Sequence, residues 1–195
     1  MPAAVIRPAL VLLAMLTALT GVLYPLLVTG LARVALPQAA SGSLIVRHGK
    51  PVASRLIGQN FTGVQYFWGR PSATALYPYN ATASGGSNLG PLNPALADAV
   101  KQRVAALHAL DPGNEAPVPV DLVTASGSGL DPEVSLAAIQ YQLPRVARAR
   151  KMDAEMLQTL VARYSKNRLA GFLGEPRVNV VEVNLALDEL QGTTP

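Results

Sequence analysis

The chain has 195 residues, of which 50% are hydrophobic and 14% charged, with a formal net charge of +4. Such apolar content excludes a wholly disordered chain, which needs low hydrophobicity and high charge. Cysteine is absent and histidine is confined to His48 and His108, which excludes disulfide scaffolds, thiolate metal sites, thiol nucleophiles and iron–sulfur clusters, and leaves too few imidazoles for a His-rich metal centre.

Residues 1–7 form a short amino-terminal tail ending at Arg7. Residues 8–32 then run for 25 positions without a charge, up to Arg33. As a helix this stretch measures about 37 Å against a hydrocarbon core of about 30 Å, so it spans a bilayer with some tilt. Gly21, Pro25 and Gly30 interrupt it, which lipid-embedded helices tolerate, and a bend is expected at Tyr24-Pro25. A cleaved signal peptide is the competing reading, but its apolar core is ordinarily only about 7–15 residues long. The expectation is a retained span, and the single one, since no other segment reaches 18 apolar residues. Arg33, Arg47 and Lys50 follow it, and the positive-inside rule read literally would hold the following part in the cytoplasm. Long domains translocate largely regardless of charge, so orientation stays open at this level.

Residues 33–60 read as a linker with a short strand at 44–46, and residues 61–195 as one soluble α+β domain. Residues 69–95 are dense in Gly, Ser, Asn, Pro and Tyr, a long loop of the kind that is usually functional or flexible. Asn93-Pro94 supplies a cap and a first-turn proline for a helix with Leu96, Val100, Val104, Leu107 and Leu110 on one stripe, ended by Asp111-Pro112-Gly113. Alternation over residues 118–123 predicts a strand. Residues 125–130 form a tight small-residue loop, and Asp131-Pro132 predicts the start of a second helix that Pro144 breaks or restarts. Asp153 caps a third helix, with Met156, Leu157, Leu160, Val161 and Tyr164 on one face. A last strand is expected at 178–183.

Candidate chemistry is sparse. No phosphate-binding G-x-x-x-x-G-K-[ST] loop occurs, and Gly127-x-Gly129 meets Pro132 where a dinucleotide fingerprint needs glycine. G-x-S-x-G is also absent. Ser84, Ser87, Ser126 and Ser128 would be nucleophiles only with a base that no spacing identifies. The 83–90 loop could cradle an anion on its backbone amides, but turns with left-handed Gly and Asn are the favoured reading. Arg145, Arg148, Arg150 and Lys151, extended by Arg163, Lys166 and Arg168, read as a solvated helix face rather than a phosphate site. No aromatic interleaves with them, which argues against nucleic acid. Tyr66, Phe67, Trp68, Tyr77 and Tyr79 are half of all aromatics. Phe67 is expected in the core, while Tyr77 and Tyr79 are open to either core or interface. Asn60-Phe-Thr62 and Asn80-Ala-Thr82 match glycosylation acceptors, a pattern common by chance.

Six stretches carry a resemblance to a known family: LTGVLYPLLVTGLA at 19–32, YFWGRPSAT at 66–74, ASGGSNLGPLNP at 83–94, PVDLVTASGSGLDP at 119–132, YQLPRVARAR at 141–150 and GFLGEPRVNVVEVNLALD at 171–188. In this order, over nearly the whole chain, they resemble the C subunit of the bacterial Kdp potassium-transporting P-type ATPase. Leu143 stands where that family is expected to carry valine, and residues 37–55 match weakly. The resemblance implies a non-catalytic subunit of an ATP-driven potassium importer in the bacterial inner membrane, with its soluble domain periplasmic. Implied partners are a channel-like potassium-binding subunit, a P-type ATPase subunit, a small single-span subunit and the lipid bilayer. The implied role is assembly and that of a catalytic chaperone raising the ATPase subunit's affinity for ATP. No cofactor is expected to be tightly bound, ATP being met through the ATPase subunit, and Gln142 is the implied nucleotide contact. The Asp-Lys-Thr-Gly phosphorylation motif of P-type pumps and a potassium-filter loop are both missing, so neither phosphoryl transfer nor ion selection is expected here. The alternative is a membrane-anchored envelope binding protein or hydrolase using the Gly/Ser-rich loops.

Overall fold

A computed structural model describes residues 2–192. The chain divides into two compact units at Val52–Ala53.

The first unit is led by helix α1 (Pro2–Ala18), a π-helical turn (Leu19–Leu23) and helix α2 (Tyr24–Ala35). Together they give one helix, Ala4–Ala35, long and apolar enough to cross a membrane, with none of its most apolar stretch buried. The expected irregularity at Tyr24-Pro25 takes the form of the π turn just before it. Pro25 has no N–H and its ring crowds the carbonyl four residues back, so the backbone widens by one residue and Tyr24 N–H donates to Leu19 O. A short helix α3 (Pro37–Ala40) follows, then strands β1 (Leu44–Arg47) and β2 (Lys50–Ser54), joined by His48-Gly49 into a two-stranded sheet. The strand foreseen at 44–46 therefore has a partner that the linker reading lacked. Both turn residues are left-handed, at φ 49° and 76°, which suits a tight two-residue hairpin connection.

In the second unit, helix α4 (Pro94–Leu110) starts as expected, with the Asn93 side chain accepting from Ala95 N. Its stripe is mostly shallow: only Leu107 is buried, and Val100 and Val104 pack partly against the core. Strand β3 (Glu133–Ser135) leads into helix α5 (Leu136–Arg150), followed by helix α6 (Ala154–Tyr164), strand β4 (Ser165–Lys166), strand β5 (Arg177–Asn179) and helix α7 (Val180–Leu190). The sheet has the order β3-β5-β4 and is antiparallel throughout, with Val134 opposite Val178 and Ser165 opposite Val178. The core gathers Phe67, Ile139, Val146, Leu157, Val178, Val183 and Leu187, all fully buried, from helices α5, α6 and α7, strand β5 and one loop residue. One apolar amino-terminal helix and a small α+β domain is the architecture.

Four local expectations are corrected. Residues 118–123 are not a strand. Pro119 opens a 3-10 turn, Val120–Leu122, and Leu122 N and Val123 N close it on the carbonyls of Pro119 and Val120. Proline at 117 and 119 removes ladder donors, which defeats the alternation. Asp131-Pro132 does not start a helix: Asp131 Oδ1 accepts from Glu133 N at 2.9 Å, and the helix waits for Ser135, whose Oγ accepts from Ala138 N. Pro144 neither breaks nor restarts α5. It lies on the exposed face with Gln140, so the carbonyl it leaves without a donor can turn to solvent. The final strand is only Arg177–Asn179. Asn179 Oδ1 accepts from Val181 N and Glu182 N, each at 3.1 Å, and turns the β-branched run into helix α7.

Candidate functional site

Residues 64–68 lie outside every strand, yet Phe67 at their centre is fully buried. A buried backbone needs partners, and here side chains supply them. Asn184 of α7 accepts from Phe67 N at 2.9 Å and donates to Phe67 O at 2.8 Å. Gln142 of α5 accepts from Trp68 N at 2.8 Å and donates to Trp68 O at 3.1 Å. Each amide meets both polar groups of one residue, as a neighbouring strand would. Arg145 donates to the carbonyls of Val64 and Tyr66 and to Gln142 Oε1. Arg150 Nε donates to Gln65 O at 2.7 Å. Its Nη2 meets Asp188 Oδ1 at 2.8 Å, both side chains being under 5% exposed. Tyr66 closes the network by donating to Asp188 Oδ2 at 3.2 Å, beneath the Arg150 guanidinium at 4.8 Å from its ring.

The electrostatics follow from burial. Desolvation pulls the Arg145 pKa down to about 10, with Asp111 partly opposing. Burial and the Asp188 carboxylate push the Tyr66 hydroxyl up. Arg145 and Arg150 are thus not a solvated face, and the basic run is corrected on this point. The two lie about 140° apart around a helix that is buried over most of its circumference, and hydrogen bonds to carbonyls, with Gln142 for Arg145 and Asp188 for Arg150, offset the cost of desolvation. Arg148, which pairs with Asp111, and Lys151, Arg163, Lys166 and Arg168 are exposed, as expected of a solvated face.

Gln142, implied by resemblance as a nucleotide contact, lies within this bracket at 1% exposure. Besides Trp68 its Nε2 donates to Ala138 O at 3.1 Å, and its Oε1 also accepts from Arg145. All its polar atoms face protein groups.

The small-residue loops close over the other side of the same segment. Gly85 N donates to Ser128 O at 2.8 Å, Ser84 Oγ to Ser128 O at 3.0 Å, and Ser72 Oγ to Gly129 O at 2.7 Å. Gly129 has φ 69°, and a Cβ there would sit 2.7 Å from Gly85 O, so both conformation and space call for glycine. The loops are therefore interlocked turns. Ser126 is buried, and no described hydrogen bond joins any of these serines to His48 or His108, both exposed. The acceptor-like Asn80 is buried as well, its Oδ1 capping the Ala81–Ala83 turn through Thr82 N. Of the aromatics, Phe67 is in the core as expected, Tyr77 is exposed, and Tyr79 donates to Arg70 O at 2.6 Å. Trp68, Arg70, Tyr79 and Arg103 wall a cavity of about 290 Å³ beside the bracket. Arg103 and Asn184 escaped the sequence reading; Asn184 in an otherwise apolar stretch of α7 was the available signal.

Comparison with known proteins bears on all of this. The family model described as K+-transporting ATPase, c chain (KdpC) matches residues 6–189. A protein of Variovorax paradoxus (strain S110) named potassium-transporting ATPase KdpC subunit is 66% identical over 184 residues, covering 94% of this chain and 95% of its own. Proteins with the same name from Janthinobacterium sp. (strain Marseille) and Polaromonas naphthalenivorans (strain CJ2) are 62% and 63% identical, over 94% and 96% of this chain and 97% and 95% of theirs.

Proposed function

Since the chain belongs to the KdpC family of K+-transporting ATPase c chains, we propose that it is a non-catalytic, single-pass subunit of an ATP-driven potassium import complex, acting in assembly and raising the ATPase subunit's affinity for ATP. The observation that carries this reading is the match over nearly the whole chain, span included. A subunit role also accounts for two surface features. Along the span, a Cβ at Gly30 would meet nothing within 4 Å and one at Gly21 only Thr17 at 4.0 Å, so each glycine leaves a place where a helix of a channel-like or ATPase subunit can approach closely. In the second unit, Leu169 and Phe172 are 73% and 74% exposed around the Leu169–Leu173 bridge, an apolar tip suited to a protein contact.

We assign the span to the bacterial inner membrane and the second unit to the periplasm. There it would not meet cytoplasmic ATP, and an effect on ATP affinity would be a coupling between states carried through the span and partner helices. No tightly bound cofactor is assigned. In this reading Gln142 positions the Trp68 segment; direct nucleotide contact would require the bracket to open. The test is to delete this chain from the complex and measure co-purification of the other subunits and potassium-stimulated ATP hydrolysis. Loss of assembly, or a raised KM for ATP at retained kcat, is expected. Full assembly and unchanged kinetics would refute the role. In the assembled complex, Gln142→Glu should leave the ATP KM unchanged per intact complex, whereas a raised KM would restore the direct contact.

A further inference from the structure

The cavity beside Trp68 is out of charge balance. Arg70 pairs with Asp131 at 3.2 Å and donates to Ala125 O, but its Nε is buried without a hydrogen-bond partner. Arg103, reaching across from α4, meets only a carbonyl, Val123 O at 2.7 Å. Among the described residues no carboxylate lies within ion-pair distance of it. Burial lowers its pKa with no acidic neighbour opposing the shift. The wall thus holds two guanidinium groups and no carboxylate, Asp131 meeting Arg70 from outside the lining, with Trp68, Leu107 and Leu122 as apolar surface around them. A half-buried cation facing a cavity and an orphaned donor are both costly unless something completes them.

We propose that this cavity is a binding site for a single carboxylate of side-chain size, its oxygens on Arg103 and its carbon stem along Trp68 and Leu107. The balance of one unmatched positive charge suits a monoanion, and a dianionic phosphate would overcompensate it. The volume, about 290 Å³, is at the foot of the range for small-molecule pockets, so it admits one acidic side chain or a short organic acid. Arginine presents paired donors that match a carboxylate's two oxygens. The carboxylate comes either from a neighbouring polypeptide or from a free acid. The site is independent of the potassium-transport reading.

Trp68 is the only tryptophan in the chain, so the emission has a single source, and that source lies in the cavity wall. The full-length chain in detergent is titrated at constant ionic strength with propionate, a free monocarboxylate, and with N-acetyl-glutamate methylamide, a glutamyl residue in peptide form. A saturable change in emission is expected, with the midpoint raised at least tenfold in Arg103→Gln and less in Arg103→Lys. Tighter binding of the glutamyl probe assigns the carboxylate to a polypeptide; tighter propionate assigns it to a free acid. Ala106 is an exposed cavity residue one helical turn beyond Arg103, so Ala106→Glu can place an internal carboxylate on Arg103 without disturbing the core. That variant should lose the titration. A response to both probes that stays linear, a midpoint unchanged in folded Arg103→Gln, or an unchanged titration in Ala106→Glu would overturn the site.

Discussion

At the residue scale, the second unit depends on charged and amide groups placed where hydrophobic patterning expects none. Arg150 and Asp188 are a buried pair joined to Tyr66, Gln65 O and Gln191. Removing one partner strands the other charge away from water, so Asp188→Ala should lower unfolding free energy by about 3–5 kcal/mol, read by denaturant titration of Trp68 emission. The double variant Arg150→Met, Asp188→Leu should recover a large part of that loss, because two apolar side chains leave no uncompensated charge. Tyr79 offers a pH signature. Burial, with Asp131 adding to it, pushes its hydroxyl up to about 12 from 10.0. Between these values the folded state holds a proton that the unfolded state has released, so stability from this group is complete below pH 10 and is lost as pH rises toward 12. Arg145 has the opposite sign in the same window, its depressed pKa making stability rise with pH, but it contributes equally to both proteins compared. Tyr79→Phe should therefore show a shallower fall in stability than the parent from pH 10 to 12. Identical slopes would mean the hydroxyl titrates normally.

Among the elements, α7 shows how a cap outweighs propensity. Val180, Val181 and Val183 favour a strand by themselves, yet Asn179 satisfies two first-turn amides and its Nδ2 donates to Arg55 O at 2.8 Å. Asn179-x-x-Glu182 is the sequence form of a capping box, and it was legible in principle. Asn179→Ala should cost about 2 kcal/mol or more, since a buried cap and a carbonyl partner go together, whereas Asn179→Asp should cost less by keeping the acceptor. The span makes a different prediction. Leucine at Gly21 and Gly30 would meet almost nothing within the chain, so the double variant should insert normally. It should nonetheless reduce co-purification with the other subunits of a transport complex, because bulk there blocks close helix approach. Undiminished co-purification would make the span an anchor only.

On the scale of the whole molecule, the unresolved matter of the sequence reading is sidedness. Three cations after the span favour a cytoplasmic second unit by count, while long domains override that count. The chain has no cysteine, so single cysteines at the exposed positions Ser84 and Gly113 report cleanly. A membrane-impermeant maleimide should label both in intact spheroplasts. Labelling only after permeabilisation would reverse the assignment and make cytoplasmic ATP accessible to this unit.

What the sequence by itself determined is the part of the protein governed by near neighbours: an uncharged stretch long enough to span, the Asn93 and Asp153 caps, and the Leu157, Leu160 and Val161 face of α6. Each rests on contacts within a turn or two, so pattern and propensity suffice. Only the tertiary structure decided how residues 64–68 are held. Gln142 and Asn184 substitute for a missing strand across separations of 74 and 117 residues, and Arg145 and Arg150 face inward because carbonyls from that same segment await them. A basic run looks identical in sequence whether its donors meet water or a backbone 79 to 85 residues away. The difference lies in the desolvation balance, which exists only once the chain has folded.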